Sequence, residues 1–210
     1  MPGKSYDPRL HHRHSIRLRG YDYSLAGMYF VTFCVSERAF LFGEIDEGNM
    51  LLNDAGKAVL SCFDAVGSRY RCAGIDCLVI MPNHVHAVIV LSAGPIGCGI
   101  LCTDLPREPS AGLKLSDVVH DIKLWTANAY RSSVRENGWR PYVGTLWQRD
   151  CFEHIVRDAE SLARIRAYIR DNPSRWAVDR ENPAREGDDP FDLWLDSLGQ
   201  PEQAADQQQA

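Results

Sequence analysis

Residues 84–91 read His-Val-His-Ala-Val-Ile-Val-Leu. Past the second histidine the run is apolar at consecutive positions. A strand turns alternate side chains to opposite faces, so such a run needs cover on both faces. The segment therefore belongs near the middle of a sheet, with other elements packed on it. Residues 75–81 form a second apolar, β-branched run, and Pro82-Asn83 between the two is turn chemistry, so the pair reads as a hairpin.

Around this hairpin the periodicity changes along the chain. Residues 28–35 are aromatic and β-branched, a first strand. Residues 36–48 carry charges and Gly43 and read as a loop, and 50–52 as a short strand. Asn53 or Asp54 then caps a helix to about Tyr70, with Ala58, Val59, Cys62, Phe63 and Val66 at helical spacing. Residues 92–113 are rich in Gly and Pro and read as a long loop. Ser116 is expected to cap a second helix to about Ser133, burying Val118, Val119, Ile122 and Trp125 or Thr126. A third helix starts at Asp158 or Ser161 and ends at Asn172, because Pro173 stops it. Strands and helices mix without regular βαβ alternation. The expected class is α+β, an antiparallel sheet with helices packed on it.

The charge is unevenly placed. The 210 residues carry a net −5. Residues 177–210 hold nine acids and two bases, a net −7, which leaves +2 for residues 1–176. The first twenty residues hold Lys4, Arg9, Arg13, Arg17 and Arg19 against Asp7 alone. A basic arm suits phosphate contact, and a solvated terminus accounts for the same charges. The division is thus a basic arm at 1–20, a central region at 21–176 and an acidic, poorly ordered tail at 177–210, with a short amphipathic piece at 191–198. Seven cysteines without paired spacing fit a reducing cytosol, hence a cytoplasmic protein. No apolar run approaches the roughly 18–20 residues of a membrane span.

Three segments can carry chemistry. His84 and His86 are two apart on a strand, so they share a face and can converge on one ion. Imidazole suits borderline divalent metals such as Zn²⁺ or Mn²⁺. Two buried, hydrogen-bonded histidines would satisfy the same spacing, but two on one apolar strand both need partners. Arg164, Tyr168 and Asn172 follow one another at i+4 on one helical face. From the helix alone, an amphipathic tyrosine and a C-terminal asparagine cap before Pro173 account for them more simply; as a site, the face would hold the Tyr168 hydroxyl rigidly and offer Asn172 Oδ1 as a third ligand. Gln148 and Arg149 can clamp a phosphate or base, and Trp125, Tyr142 and Trp147 can stack unpaired bases or lie in the core.

Taken in order, the strings Gly27-x-Tyr-Phe-Val-Thr, Leu-x-Asn-Asp-Ala-Gly56, Val79-Ile-Met-Pro-Asn-His-Val-His86, Leu146-Trp-Gln-Arg149, Glu153-His-Ile155 and Arg166-x-Tyr-Ile-x-x-Asn-Pro173 resemble the REP-associated tyrosine transposases of the HUH single-strand transposase superfamily. Cys151 stands where such proteins usually carry an aromatic residue. The resemblance implies a ferredoxin-like core, His84, His86 and Asn172 as ligands of a divalent metal (Mg²⁺ or Mn²⁺), and Tyr168 as nucleophile. It implies single-stranded or hairpin DNA as substrate, with repetitive palindromic elements the expected targets. Cleavage and rejoining would run through a 5′-phosphotyrosine, with Arg9, Arg13, Arg17, Arg19, Gln148 and Arg149 on the DNA and the protein a monomer or homodimer. A regulator that binds DNA on the same fold without transposition is the alternative. A zinc deaminase is excluded, since it needs His-x-Glu with Pro-Cys-x-x-Cys.

Overall fold

The computed structural model describes residues 21–96 and 112–198. Six strands and five helices run in the order β1 (Gly27–Cys34), β2 (Gly43–Asp46), β3 (Asn49–Leu52), α1 (Asp54–Asp64), α2 (Val66–Arg69), β4 (Ala73–Ile80), β5 (His84–Leu91), α3 (Leu115–Glu136), β6 (Phe152–Val156), α4 (Ala159–Asp171) and α5 (Pro190–Leu198) among the described residues. Four of the strands form one antiparallel sheet in the order β4-β5-β1-β6. Leaving aside the separate β2-β3 hairpin, the core runs β1-α1-β4-β5-α3-β6, and its spatial order 4-1-3-2 is ferredoxin-like, as expected.

The centre of the sheet is buried on both faces. Tyr29, Val31 and Phe33 of β1 and Val85, Ala87 and Ile89 of β5 pack with Val59 and Phe63 of α1 and Val118 and Ile122 of α3. The opposite parity, Met28, Phe30, Val88 and Val90, packs on Leu162, Ile165 and Ile169 of α4 and on Phe191 and Leu195 of α5. Each fully buried Phe or Leu contributes roughly 1.5–3 kcal/mol. Thr32 pairs across β1-β5 with His86 and Cys34 with His84, so both histidines lie on the α4 face.

The structure differs from the sequence reading in five places. The segment 36–48 contains β2, which pairs with β3. β6 was not expected; its burial alternates through only five residues, Phe152 to Val156, and its partner β1 is more than a hundred residues earlier. The first helix breaks at Ala65 into α1 and α2, with Asn53 the cap: its side chain accepts from Gly56 N at 2.9 Å. The second helix starts earlier, at Leu115 with Lys114 as N-cap, because the Asp117 carboxylate accepts the Lys114 N–H at 3.1 Å.

The largest difference is the acidic tail. Residues 173–178 form a 3-10 turn, and α5 packs on the sheet. Most of the described acids of this segment have partners. Arg175 pairs with Asp189, Arg180 with Asp192 at 3.4 Å and with Asp196 at 2.7 Å, and Asp179 is fully buried. With Phe191 and Leu195 supplying apolar burial, the negative charge does not keep this stretch in solvent. The basic arm with Arg9, Arg13, Arg17 and Arg19, most of the Gly/Pro-rich loop, and Cys98 and Cys102 lie outside the described residues. Among the described residues no helix is long and apolar enough to cross a membrane.

Candidate metal and nucleophile site

β5 starts two residues after Pro82, and its first and third side chains face α4. There the His84 and His86 rings meet Nε2 to Nε2 at 3.0 Å. The tautomer of His84 follows from its neighbour. Asn83 Nδ2 donates to two carbonyls, Arg38 O at 3.3 Å and Glu181 O at 2.8 Å, which fixes Asn83 Oδ1 as an acceptor. His84 Nδ1 lies 2.8 Å from that Oδ1, so Nδ1 carries the proton and donates. Nε2 of His84 is therefore a bare lone pair, aimed at His86. His86 Nδ1 is held by Thr32 Oγ1 at 2.8 Å. Phe30 stacks on His86 and Trp176 on His84, which locks both ring planes.

Three groups from α4 and beyond complete the cluster. The Tyr168 hydroxyl is 3.2 Å from His86 Nε2 and donates to Asp179 Oδ2 at 3.3 Å. Asn172, the residue after α4, donates its Nδ2 to the same Oδ2 at 2.8 Å. That carboxylate oxygen lies 3.8 Å from Nε2 of each histidine. Nothing in the cluster is more than 4 % exposed. Of the residues expected from sequence, the structure brings His84, His86, Tyr168 and Asn172 together. Gln148 is tied to the strand end beside them, donating N–H to Cys34 O at 2.8 Å, and Arg149 is exposed. Trp147 is core: it is buried against Phe33 and Phe42, and its Nε1 donates to Thr126 Oγ1 at 2.7 Å.

In the sequence Asp179 is one of nine acids at 177–210. No local pattern marks it, since it returns to the site only through the 3-10 turn 173–178. Asn83, turn chemistry in the sequence, also fixes the His84 ring.

Burial, then the neighbouring His86, pushes the His84 pKa down to about 3, so His84 is neutral near neutral pH. Its approach to Asp179 is thus a polar contact and not an ion pair. Burial opposes ionisation of Asp179. The two imidazoles and the Asn172 amide outweigh it and hold the carboxyl below the usual range. Burial, then the charge of Asp179, raises the Tyr168 phenol well above its ordinary value.

The residues fit a cation. His84, His86 and Asp179 each turn one donor atom into a common space, all within 4.8 Å of one another. A bare imidazole lone pair, a carboxylate oxygen and Asn172 Oδ1, which is buried with no hydrogen-bond partner, make an oxygen/nitrogen donor set suited to a divalent ion. Thr32 and Asn83 hold the far ring nitrogens, as residues behind metal-binding histidines do. Asn172, expected as a ligand, orients the carboxylate through Nδ2 and keeps Oδ1 unused.

The chain is thus a covered ferredoxin-like sheet with His84 and His86 on its strand β5, Asp179 brought to them by the turn after α4, and Tyr168 of α4 in contact with the group. No protein-family model matches it. An uncharacterized protein of Haemophilus influenzae is 33% identical over 180 residues, covering 83% of this chain and 96% of that protein. The chain belongs to one family with that protein. Among solved structures, it is similar to a REP-associated tyrosine transposase bound to a REP hairpin, at 19% identity and TM-score 0.48 over 76% of this chain and 73% of that one. It is also similar to a "putative transposase" of Deinococcus radiodurans R1, at 16% identity and TM-score 0.40 over 74% of this chain and 95% of that one.

Proposed function

We propose that this chain is a metal-dependent transposase that cleaves and rejoins single-stranded or hairpin DNA through a 5′-phosphotyrosine. The observation that carries the reading is the Tyr168 hydroxyl, within 3.3 Å of both His86 Nε2 and Asp179 Oδ2 at the edge of a cation-binding donor set. His84, His86 and Asp179 would hold the ion, with Asn172 Oδ1 as a further donor. A bound Mg²⁺ or Mn²⁺ supplies Lewis-acid polarisation of a phosphate oxygen.

The chain's own groups do the rest. Stacking fixes the Tyr168 ring, so its oxygen is held in one direction. An ordinary tyrosine, with a pKa of about 10, keeps its proton near neutral pH, so Tyr168 attacks as a phenol and not as a standing phenolate. Its oxygen bonds to phosphorus, the bond from phosphorus to the 3′ oxygen breaks, and the tyrosine proton ends on the released 3′-OH. The link keeps the phosphodiester's energy, so a DNA 3′-OH can reverse the step at a new junction. In this reading the catalytic region is 21–176 together with the turn carrying Asp179. Gln148, Arg149 and the basic arm, with Arg9, Arg13, Arg17 and Arg19, are assigned to the DNA backbone.

One observation favours the regulator reading: Phe191 of α5 stacks on the Tyr168 ring at 3.7 Å and 8°, and Tyr168 is only 3 % exposed. One experiment separates the two. With Mn²⁺ and labelled hairpin DNA, the wild-type protein is expected to give a covalent protein–DNA band, and Tyr168→Phe to bind without giving it. An unchanged band in Tyr168→Phe overturns the nucleophile assignment, and binding without cleavage by the wild type favours the regulator.

A further inference from the structure

Ser36 to Arg38 form a one-turn 3-10 segment between β1 and β2. Glu37 and Arg38 both have positive φ, 57° and 53°. Glycine takes this conformation freely; two consecutive side-chain-bearing residues take it at a cost, and such strain concentrates at ligand clamps. The turn is tied to the site. Asn83 Nδ2 donates to the Arg38 carbonyl, while Asn83 Oδ1 holds His84 Nδ1. Arg38 is thus one side chain removed from the metal-binding histidine.

The guanidinium is 41 % exposed and its partners all lie on one short stretch. Arg38 Nη1 donates to Arg180 O at 3.2 Å, and Nη2 lies 3.2 Å from Glu181 Oε2. The same stretch places Asp179 at the histidines. Its Oδ1 accepts the Glu181 N–H at 2.7 Å, so a tight turn presents two carboxylates, one to the cation-binding group and one to Arg38. A half-exposed ion pair of this kind adds little stability and does not account for the strained turn behind it. A planar guanidinium fork facing two anionic or carbonyl oxygens has the geometry of phosphate recognition.

We propose that Arg38 is a phosphodiester-binding residue for the DNA strand at this site, and that the Glu181 carboxylate and Arg180 carbonyl occupy the positions of its phosphate oxygens. The inference rests on the DNA-cleaving function proposed above. It adds a contact that the sequence did not mark, just past the end of β1. The Arg38 fork carries no base information; it sets where the backbone lies relative to Tyr168.

The test is the salt dependence of binding. The full chain, in EDTA so that no cleavage intervenes, is titrated against a fluorescent hairpin with a single-stranded tail over a range of salt. Each phosphate contact contributes about 0.7–0.9 to the slope of log affinity against log salt. Arg38→Gln is expected to weaken binding and flatten the slope by about that amount, and Arg38→Lys to keep the slope but lose part of the affinity. Glu181→Gln frees the guanidinium and is expected to strengthen binding by roughly threefold to tenfold. A wild-type slope in Arg38→Gln overturns the proposal. So does a Glu181→Gln protein that binds more weakly than wild type, the pattern of an ion pair with a purely structural role; this arm decides even where the Arg38 variants do not fold. Wild-type protein that binds no hairpin at low salt removes the transposase reading itself, whereas a protein that binds and cleaves with an unaltered Arg38→Gln slope removes only Arg38.

Discussion

At the scale of the residue, the site is governed by which groups carry protons. His84 is neutral because its ring is buried beside a second imidazole, and Asn83 decides which nitrogen keeps the hydrogen. Burial, then Arg157, lowers His154 to about 4. Both have folded pKa values below the unfolded 6.5, so each contributes stability that is present above pH 6.5 and lost as the pH falls. Asp192 works in the opposite sense. Burial raises it to about 6, with Arg180 opposing, so its protonation favours the folded state as the pH falls from 6 toward 4. The metal-free protein is therefore expected to lose stability between pH 6 and 4. Asp192→Asn should lose it more steeply, by roughly 1.4 kcal/mol per pH unit, the linkage of one proton. Denaturant melts across this window check the prediction, and parallel curves for the two proteins would refute it.

At the scale of the element, two packings decide how the site is framed. α1 begins against the β1–β2 connection with no room to spare. A Cβ built on Gly56 would stand 2.2 Å from Phe42 O, a backbone atom that also accepts the Asn53 N–H. Gly56→Ala is expected to lower stability by about 2–4 kcal/mol, read as a shift in denaturant midpoint, because neither backbone can yield alone. α5 is held differently, by one stacked ring, a few apolar side chains and the ion pairs of Arg180 with Asp192 and Asp196. Phe191→Ala removes the Tyr168 stack and is expected to weaken α5 docking by about 2 kcal/mol, which is roughly a 30-fold rise in opening. Hydrogen exchange should show that rise in α5 amides and leave β1 and β5 protected. Uniform acceleration across the sheet would mean that α5 does not open as a separate unit. The long elements, β1, β5 and α4, were legible because their periodicity is strong. β6 and β2 were not, since four or five residues carry no pattern a loop cannot imitate and their pairing is decided by distant partners.

At the scale of the whole molecule, the donor set joins two distant parts of the chain, β5 and the turn after α4. An ion binding there binds the folded form alone, so it should raise stability by about 2.7 kcal/mol at a hundred times its Kd. Mn²⁺ is expected to raise the thermal midpoint of the wild type, reversibly with EDTA, and to leave His84→Ala and Asp179→Ala unmoved. An equal shift in Asp179→Ala would return the third position to Asn172.

What the sequence by itself determined is the set of groups whose relation is local. Alternation put His84 and His86 on one face of a covered strand, and the helical period put Tyr168 and Asn172 on one side of α4. Both relations are fixed by backbone geometry over two to four residues. The tertiary structure alone decided which carboxylate meets them and which arginine stands behind. Asp179 and Arg38 reach the site through a 3-10 turn and a strained loop, and their charges resemble every other surface charge until the chain has folded. Burial decides the role of Asp179, since an acid taken out of water must find a partner, and which partner it finds is a property of the packed molecule.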